Sequence, residues 1–281
     1  MINVRTPGIY STVQDSGRKG YRKIGVPVSG AMDAFAANLA NQLLQNHEDA
    51  AVIEVTFGGC ILEFLCDTFL CITGADFSPK LNEVPIKLNS VQKVMKGMVL
   101  SFGKRNYGVR TYIGVSGGIQ TERFLNSRSF YKGITPHFTL KRGMILPIGS
   151  LEKQLHQSLA VVKVKQPHFS SEKISCFKGP EFGLLSHEQI LLLQDTVFTI
   201  SSDNSRMGYQ LNETIPNTFD SMLTSGVLPG TVQLTPSGKL IVLMRDCQVT
   251  GGYPRVLQLS ENAINILAQK TTGDRLRFLV Q

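Results

Sequence analysis

"SDNSRMGYQ", Ser202–Gln210, carries the same skeleton as "QDSGRKGYR", Gln14–Arg22. Each reads Asp-x-x-Arg-x-Gly-Tyr: Asp15, Arg18, Gly20 and Tyr21 recur as Asp203, Arg206, Gly208 and Tyr209, 188 positions on. A second pair keeps that order, "VSGGI" (Val115–Ile119) and "VTGGY" (Val249–Tyr253), now 134 positions apart. Kept order with altered spacing suits two related domains with different insertions, although short glycine-bearing matches also arise by chance. The 281-residue length fits two ordinary domains as well. The polar "KVKQPHFSSEK" (163–173), with its Pro and Ser, marks the expected boundary and gives domains 1–168 and 169–281.

Around these motifs most of the text alternates apolar and polar residues between turn signals, the period-2 mark of half-buried strands. "AVIEVTFGGCILEF", "FLCITGADF", "VRTYIGVSGG", "DTVFTISSD" and "KLIVLMRDCQV" are the plainest cases. Helical text is scarce. "SGAMDAFAANLANQLLQN" places Met32, Phe35, Leu39, Leu43 and Leu44 on one stripe, with Ser29 as the expected N-cap and Asp33 near the first turn. "SHEQILLLQ" offers Ser186 and Gln189 as a capping box, and "SENAINILAQK" offers Ser260 as N-cap. The expected class is mainly β with a few helices.

Composition narrows the function. A net charge of +8 is concentrated in 80–142, which holds twelve Lys and Arg against Glu83 and Glu122. Those cations are scattered through strand-like text without stacking aromatics or a nucleic-acid motif. A solvated face or a contact with a partner chain is the expected role, and nucleic acid is not an expected partner. No apolar run reaches the roughly 18 residues of a membrane span, and the N-terminus lacks a signal-peptide layout, so a cytoplasmic protein is expected. Five cysteines form no CxxC pair and five histidines no HxH or HxxxH pair, which leaves no expected metal site. G-x-S-x-G, G-x-G-x-x-G and P-loop signatures are absent.

What remains are polar side chains in glycine-rich turns. Asp15 and Arg18 stand three apart, close enough in a turn for a charge-assisted hydrogen bond; such a pair pins a loop or grips a carboxylate or phosphate. The densest stretch is 232–256, where an apolar strand delivers Arg245, Asp246, Gln248 and Thr250 to Gly251-Gly252 and then Tyr253-Pro254-Arg255. Glycine there lets a ligand or another backbone approach closely.

"VQDSGRKGYRKIGVPVSGAMD", "SSDNSRMGYQL", "GVLPGTVQL" and "VLMRDCQVTGGYPR", in this order over nearly the whole chain, resemble the KipA family. Its members are the C components of 5-oxoprolinases, or allophanate hydrolase subunit 2-like proteins, and are related to the carboxyltransferase region of urea carboxylase. Val249 departs from the family's usual Thr, and Gly238-Lys239-Leu240-Ile241 from a common Gly-Gln-Pro-Ile step. The resemblance implies two cyclophilin-like β-barrel domains and two partner proteins, one KipI-like and one LamB-like. It further implies a hydrolase component, inactive alone, in a complex that opens the lactam of 5-oxoproline to glutamate with ATP hydrolysis. ATP is expected on this chain or on a partner.

Under that resemblance Arg206, Asp246, Arg255 and Asp203 are the expected catalytic residues. Asp15, Arg18, Ser29, Gln248, Thr250, Gly251, Gly252 and Tyr253 are expected around a small amide or lactam substrate. Two alternatives stay open: a biotin-dependent carboxyltransferase component, with biotin on another chain, and a non-enzymatic antagonist that binds a KipI-like kinase inhibitor.

Overall fold

The Asp-x-x-Arg element at 203–206 runs from the end of one strand into the turn before the next in a closed seven-stranded barrel of the computed structural model, which describes residues 1–150, 161–164, 167–220 and 222–281. The barrel runs Lys173–Lys178, Arg255–Leu259, Thr231–Leu234, Lys239–Leu243, Gly208–Thr214, Phe198–Asn204 and Arg275–Val280. It closes through parallel pairing of the first and last, Ile174 opposite Phe278. Alternation sets the two faces: Tyr209, Leu211, Val232, Leu234, Leu240 and Val242 enter the core, while Gln210, Gln233 and Ile241 face outward. The helix His187–Asp195 begins with the expected capping box, Ser186 and Gln189 satisfying each other's backbone N–H groups, and Glu261–Leu267 is capped by Ser260.

The chain divides into two units, Met1–Arg18 with Asp33–Lys165 and Lys19–Met32 with Gln166–Gln281, so the barrel's unit takes in a segment from near the N-terminus. Met32 is fully buried in the core of that unit. Of the expected boundary segment 163–173, positions 165 and 166 lie outside the described residues.

The first unit folds as a six-stranded and a five-stranded sheet around one core. Val4, Leu62 and Leu100 of one sheet meet Ile53, Ile72 and Ile113 of the other. The helix Ala34–Leu43 covers the second sheet's other face, but neither its cap nor its buried stripe is the expected one. Asp33 is the N-cap, accepting from the Ala36 N–H at 3.0 Å. The helix buries Ala36, Ala37, Ala40 and Asn41, while Phe35 is exposed. Small side chains win here because the helix lies close on the sheet: a Cβ on Gly114 would stand 3.1 Å from that of Ala40. Thr73 donates to the Ala36 carbonyl at 2.6 Å. The mainly β expectation, with a few helices, is borne out.

The two Asp-x-x-Arg-x-Gly-Tyr elements do not build equivalent turns. Gly20 has φ +92° and opens a short 3-10 turn, Arg22–Ile24, whereas Gly208 is extended within a strand and Tyr209 is buried. Likewise Gly117 and Gly118 are left-handed, at φ +73° and +68°, but Gly251 pairs as strand with Ser225. The shared letters serve different backbones, so these matches carry no shared local structure.

Candidate functional site

The hairpin joining Phe198–Asn204 to Gly208–Thr214 places Arg206 at its tip, and the turn after Lys239–Leu243 docks on that tip. Met244 N–H donates to the Met207 carbonyl and Asp246 N–H to the Arg206 carbonyl, at 2.9 and 2.8 Å. This backbone stitching brings two oppositely charged side chains together. Arg206 Nε donates to Asp246 Oδ2 at 2.8 Å and Nη2 to Oδ1 at 2.9 Å. The same Nη2 donates to the Gly30 carbonyl at 2.6 Å, and Ser29 Oγ donates to Asp246 Oδ1 at 2.6 Å. Arg206 is 6% exposed, Asp246 8% and Ser29 3%. A bidentate pair at that depth is rigid, because any rotation leaves a buried charge without its partner. Ser29 holds its place with φ +60°, a conformation uncommon for a residue with a Cβ. Its expected role as helix cap is thus replaced by a bond to Asp246.

Beside this pair the barrel's outer face carries a pocket of about 290 Å³. Gln210, Gln233 and Ile241 floor it because register sets both glutamines opposite Ile241. Asp203, Gln248 and Tyr253 stand at its sides. The Gln233 amide donates to the Tyr253 carbonyl at 3.3 Å, tying floor to rim. Gly251 permits this: a Cβ there would lie 2.5 Å from Gln233 Nε2. Gly252 accepts from the Met222 N–H at 2.9 Å, and Thr250 is exposed.

Arg255 is committed elsewhere. Its Nε and Nη2 grip Glu181 at 2.8 and 2.6 Å, and Nη1 donates to the Gly226 carbonyl at 2.8 Å. The Glu181 carboxyl is held below its ordinary value, chiefly by the Arg255 side-chain hydrogen bonds and against a cost of burial. This pair pins the start of one barrel strand to the turn after another.

Asp15 and Arg18 belong to the first unit. The Asp15 carboxylate accepts from Gly17 N–H at 2.8 Å and from the Ser127 and Ser129 hydroxyls, both at 2.6 Å. Fully buried Arg18 donates to the Ser129 carbonyl. Asp15 is therefore the hub of a loop clasp.

Sequence reasoning thus singled out Arg206 and Asp246, though not their pairing, and three pocket residues, Asp203, Gln248 and Tyr253. It missed Gln210 and Gln233, polar letters on outward strand positions that only the barrel register brings together, and Glu181, a lone acid after a glycine-proline step. Among the described residues, no group of three or more His, Cys, Asp or Glu is placed to hold a metal ion. No helix among them is long and apolar enough to cross a membrane.

The chain is a member of the carboxyltransferase domain family, subdomains A and B, whose model matches residues 24–280. It is 34% identical to the C component of the Escherichia coli K12 5-oxoprolinase over 290 residues, covering 99% of this chain and 91% of that one. Among solved structures it resembles TTHA0988, with TM-score 0.89 and 27% identity over 99% of this chain and 55% of that one. It also resembles the urea carboxylase of Kluyveromyces lactis, with TM-score 0.87 and 26% identity over 99% of this chain and 27% of that one. The chain therefore spans about half of the TTHA0988 chain and a smaller part of the urea carboxylase.

Proposed function

We propose that this chain is the C component of a multi-subunit, ATP-dependent 5-oxoprolinase. In that assembly it helps to open 5-oxoproline to L-glutamate beside a KipI-like protein and a LamB-like protein. The observation that carries this reading is the end-to-end match to the E. coli C component, which leaves no large part of either chain unaccounted for.

The pocket's chemistry agrees with the amide end of such a substrate. Gln210, Gln233 and Gln248 each offer a neutral donor and acceptor, the complement of a lactam N–H and carbonyl. Asp203 at the rim is placed to accept a proton from an attacking water and to return it to the ring nitrogen as the C–N bond breaks. Arg206 and Asp246 act as positioning residues: their pair fixes the hairpin tip that carries Asp203. Arg255 fixes the strand that follows Tyr253.

ATP does not fit this pocket. A triphosphate calls for cationic donors, and no Lys or Arg lines the cavity among the described residues. Nucleotide is therefore not placed in this pocket, and no step here runs through it.

The family and the K. lactis structure favour a second reading, a biotin-dependent carboxyltransferase component. Biotin would deliver a carboxyl group there, and the same glutamine amides match the neutral ureido ring as well as they match a lactam.

The deciding experiment is ATP-dependent release of glutamate from 5-oxoproline by this chain mixed with the KipI-like and LamB-like proteins of its own organism, with each component omitted in turn. Turnover that requires this chain is the expected result. A stable complex without turnover, together with biotin-dependent carboxylation of an amide, would move the assignment to the second reading.

A further inference from the structure

The first unit carries a larger cavity, about 520 Å³, which none of the chemistry above uses. It opens where the helix Ala34–Leu43 has ended and the Val115–Ile119 turn begins. Asn46 builds one wall, donating to the Val115 carbonyl at 2.8 Å and accepting from the Gly117 N–H at 2.9 Å. Gly117 must be glycine: its φ is +73°, and a Cβ would stand 2.7 Å from Gly149 Cα. The wall is thus held by backbone on two sides.

Two arginines also line the cavity. Arg128 donates through Nη1 to the Thr121 carbonyl and through Nη2 to Gln120 Oε1, two neutral acceptors that orient the fork without cancelling its charge. Asp15 accepts from the Arg128 backbone N–H at 2.5 Å. Arg123 is exposed and makes no hydrogen bond or ion pair among the described residues. Burial, and then the nearby Arg123 charge, hold the Arg128 guanidinium below its usual range, against an opposing pull from Asp15. Two like charges sharing one cavity wall repel, and an oxyanion between them relieves that repulsion.

The charged lining residues are Arg123 and Arg128 against Asp49, which leaves the cavity with a net positive charge. Ser116, 5% exposed, has a hydroxyl that makes no hydrogen bond among the described residues. The lining carboxylate, Asp49, already accepts from the Ser16 hydroxyl and lies 3.9 Å from His47 Nδ1.

We infer that this cavity is a second binding site, for a small polar metabolite whose carboxylate or phosphoryl group lies between Arg123 and Arg128. The volume falls within the range of small-molecule sites, so the oxyanion is one end of a larger ligand. The inference does not depend on the 5-oxoprolinase reading.

The test is a chemical-shift titration of the full chain, reading the Gly117 and Gln120 amides, with inorganic phosphate in one arm and acetate in the other. A saturable shift with phosphate alone assigns a phosphoryl ligand, and one with acetate a carboxylate; either supports the site. Arg123→Ala, which removes no internal hydrogen bond among the described residues, is expected to weaken binding about tenfold or more. Lys93→Ala, the same loss of charge at an exposed strand position, is expected to leave it within twofold. No saturable shift in either arm, or equal weakening in both variants, overturns the inference.

Discussion

Arg206 and Asp246, forty positions apart, meet side-on with two hydrogen bonds of 2.8 and 2.9 Å, and both lie almost wholly out of solvent. Removing one partner strands the other's charge in the interior, while replacing both by apolar groups of similar volume removes the problem. Asp246→Ala is expected to lower unfolding free energy by about 3–5 kcal/mol, and the double change Arg206→Met with Asp246→Leu to restore most of it. Urea denaturation of wild type and the two variants measures this. A loss below about 1 kcal/mol in Asp246→Ala would show that the pair holds nothing together.

Glu181 gives the fold a dependence on acid. Its folded pKa is depressed, chiefly by hydrogen bonds from Arg255, below an ordinary value of 4.5. A depressed carboxyl contributes stability that is present above the unfolded pKa and lost as pH falls through the folded one. The difference in stability between wild type and Glu181→Gln is therefore expected to shrink as pH drops below about 4.5. A difference that stays constant between pH 6 and pH 3 would contradict the assignment.

Gly251 separates the pocket from the fold. A methyl group there meets the Gln233 amide at 2.5 Å, and that amide is the far end of a flexible side chain. Gly251→Ala is expected to cost less than about 1.5 kcal/mol of stability, by displacing a side chain and not backbone. In the reconstituted complex it is expected to lower turnover at least tenfold, because the pocket floor is rearranged. Unchanged kcat and KM would remove Gln233 from the site.

The thiols make a chemical prediction. Burial pushes Cys60, Cys71 and Cys176 up to about 12 and Cys247 up to about 11. At pH 8 these four remain protonated and enclosed, so iodoacetamide is expected to label native protein at Cys66 alone. Labelling in urea should reach all five. Rapid native labelling at Cys247, which adjoins Asp246, would mean that the turn opens on the labelling timescale.

How far the sequence could be read depended on the range of the interaction. Alternation and caps act over a few residues, so "KLIVLMRDCQV" and the Ser186–Gln189 box were legible. The helix at Ala34–Leu43 was misread because periodicity selects large apolar letters, whereas close approach to a sheet selects alanine. The doubled Asp-x-x-Arg-x-Gly-Tyr looked like one device used twice; a residue's φ, left-handed at Gly20 and extended at Gly208, is not written in its letter. Arg206 and Asp246 were both singled out, but their pairing depends on a hairpin tip docking on a later turn. The glutamine floor needs barrel register across three strands. Those are long-range facts, and no local pattern encodes them.

The segment Lys19–Met32 supplies Ser29 and Gly30 to the Arg206–Asp246 cluster and Met32 to the barrel's interior, yet the ribosome makes it long before any barrel strand. All of 33–165 must emerge before its partners exist. During synthesis this stretch waits unpartnered, and the barrel is finished by chain that left the exit tunnel first. A copy begun at position 169 would lack that stretch, and with it the Ser29, Gly30 and Met32 contacts.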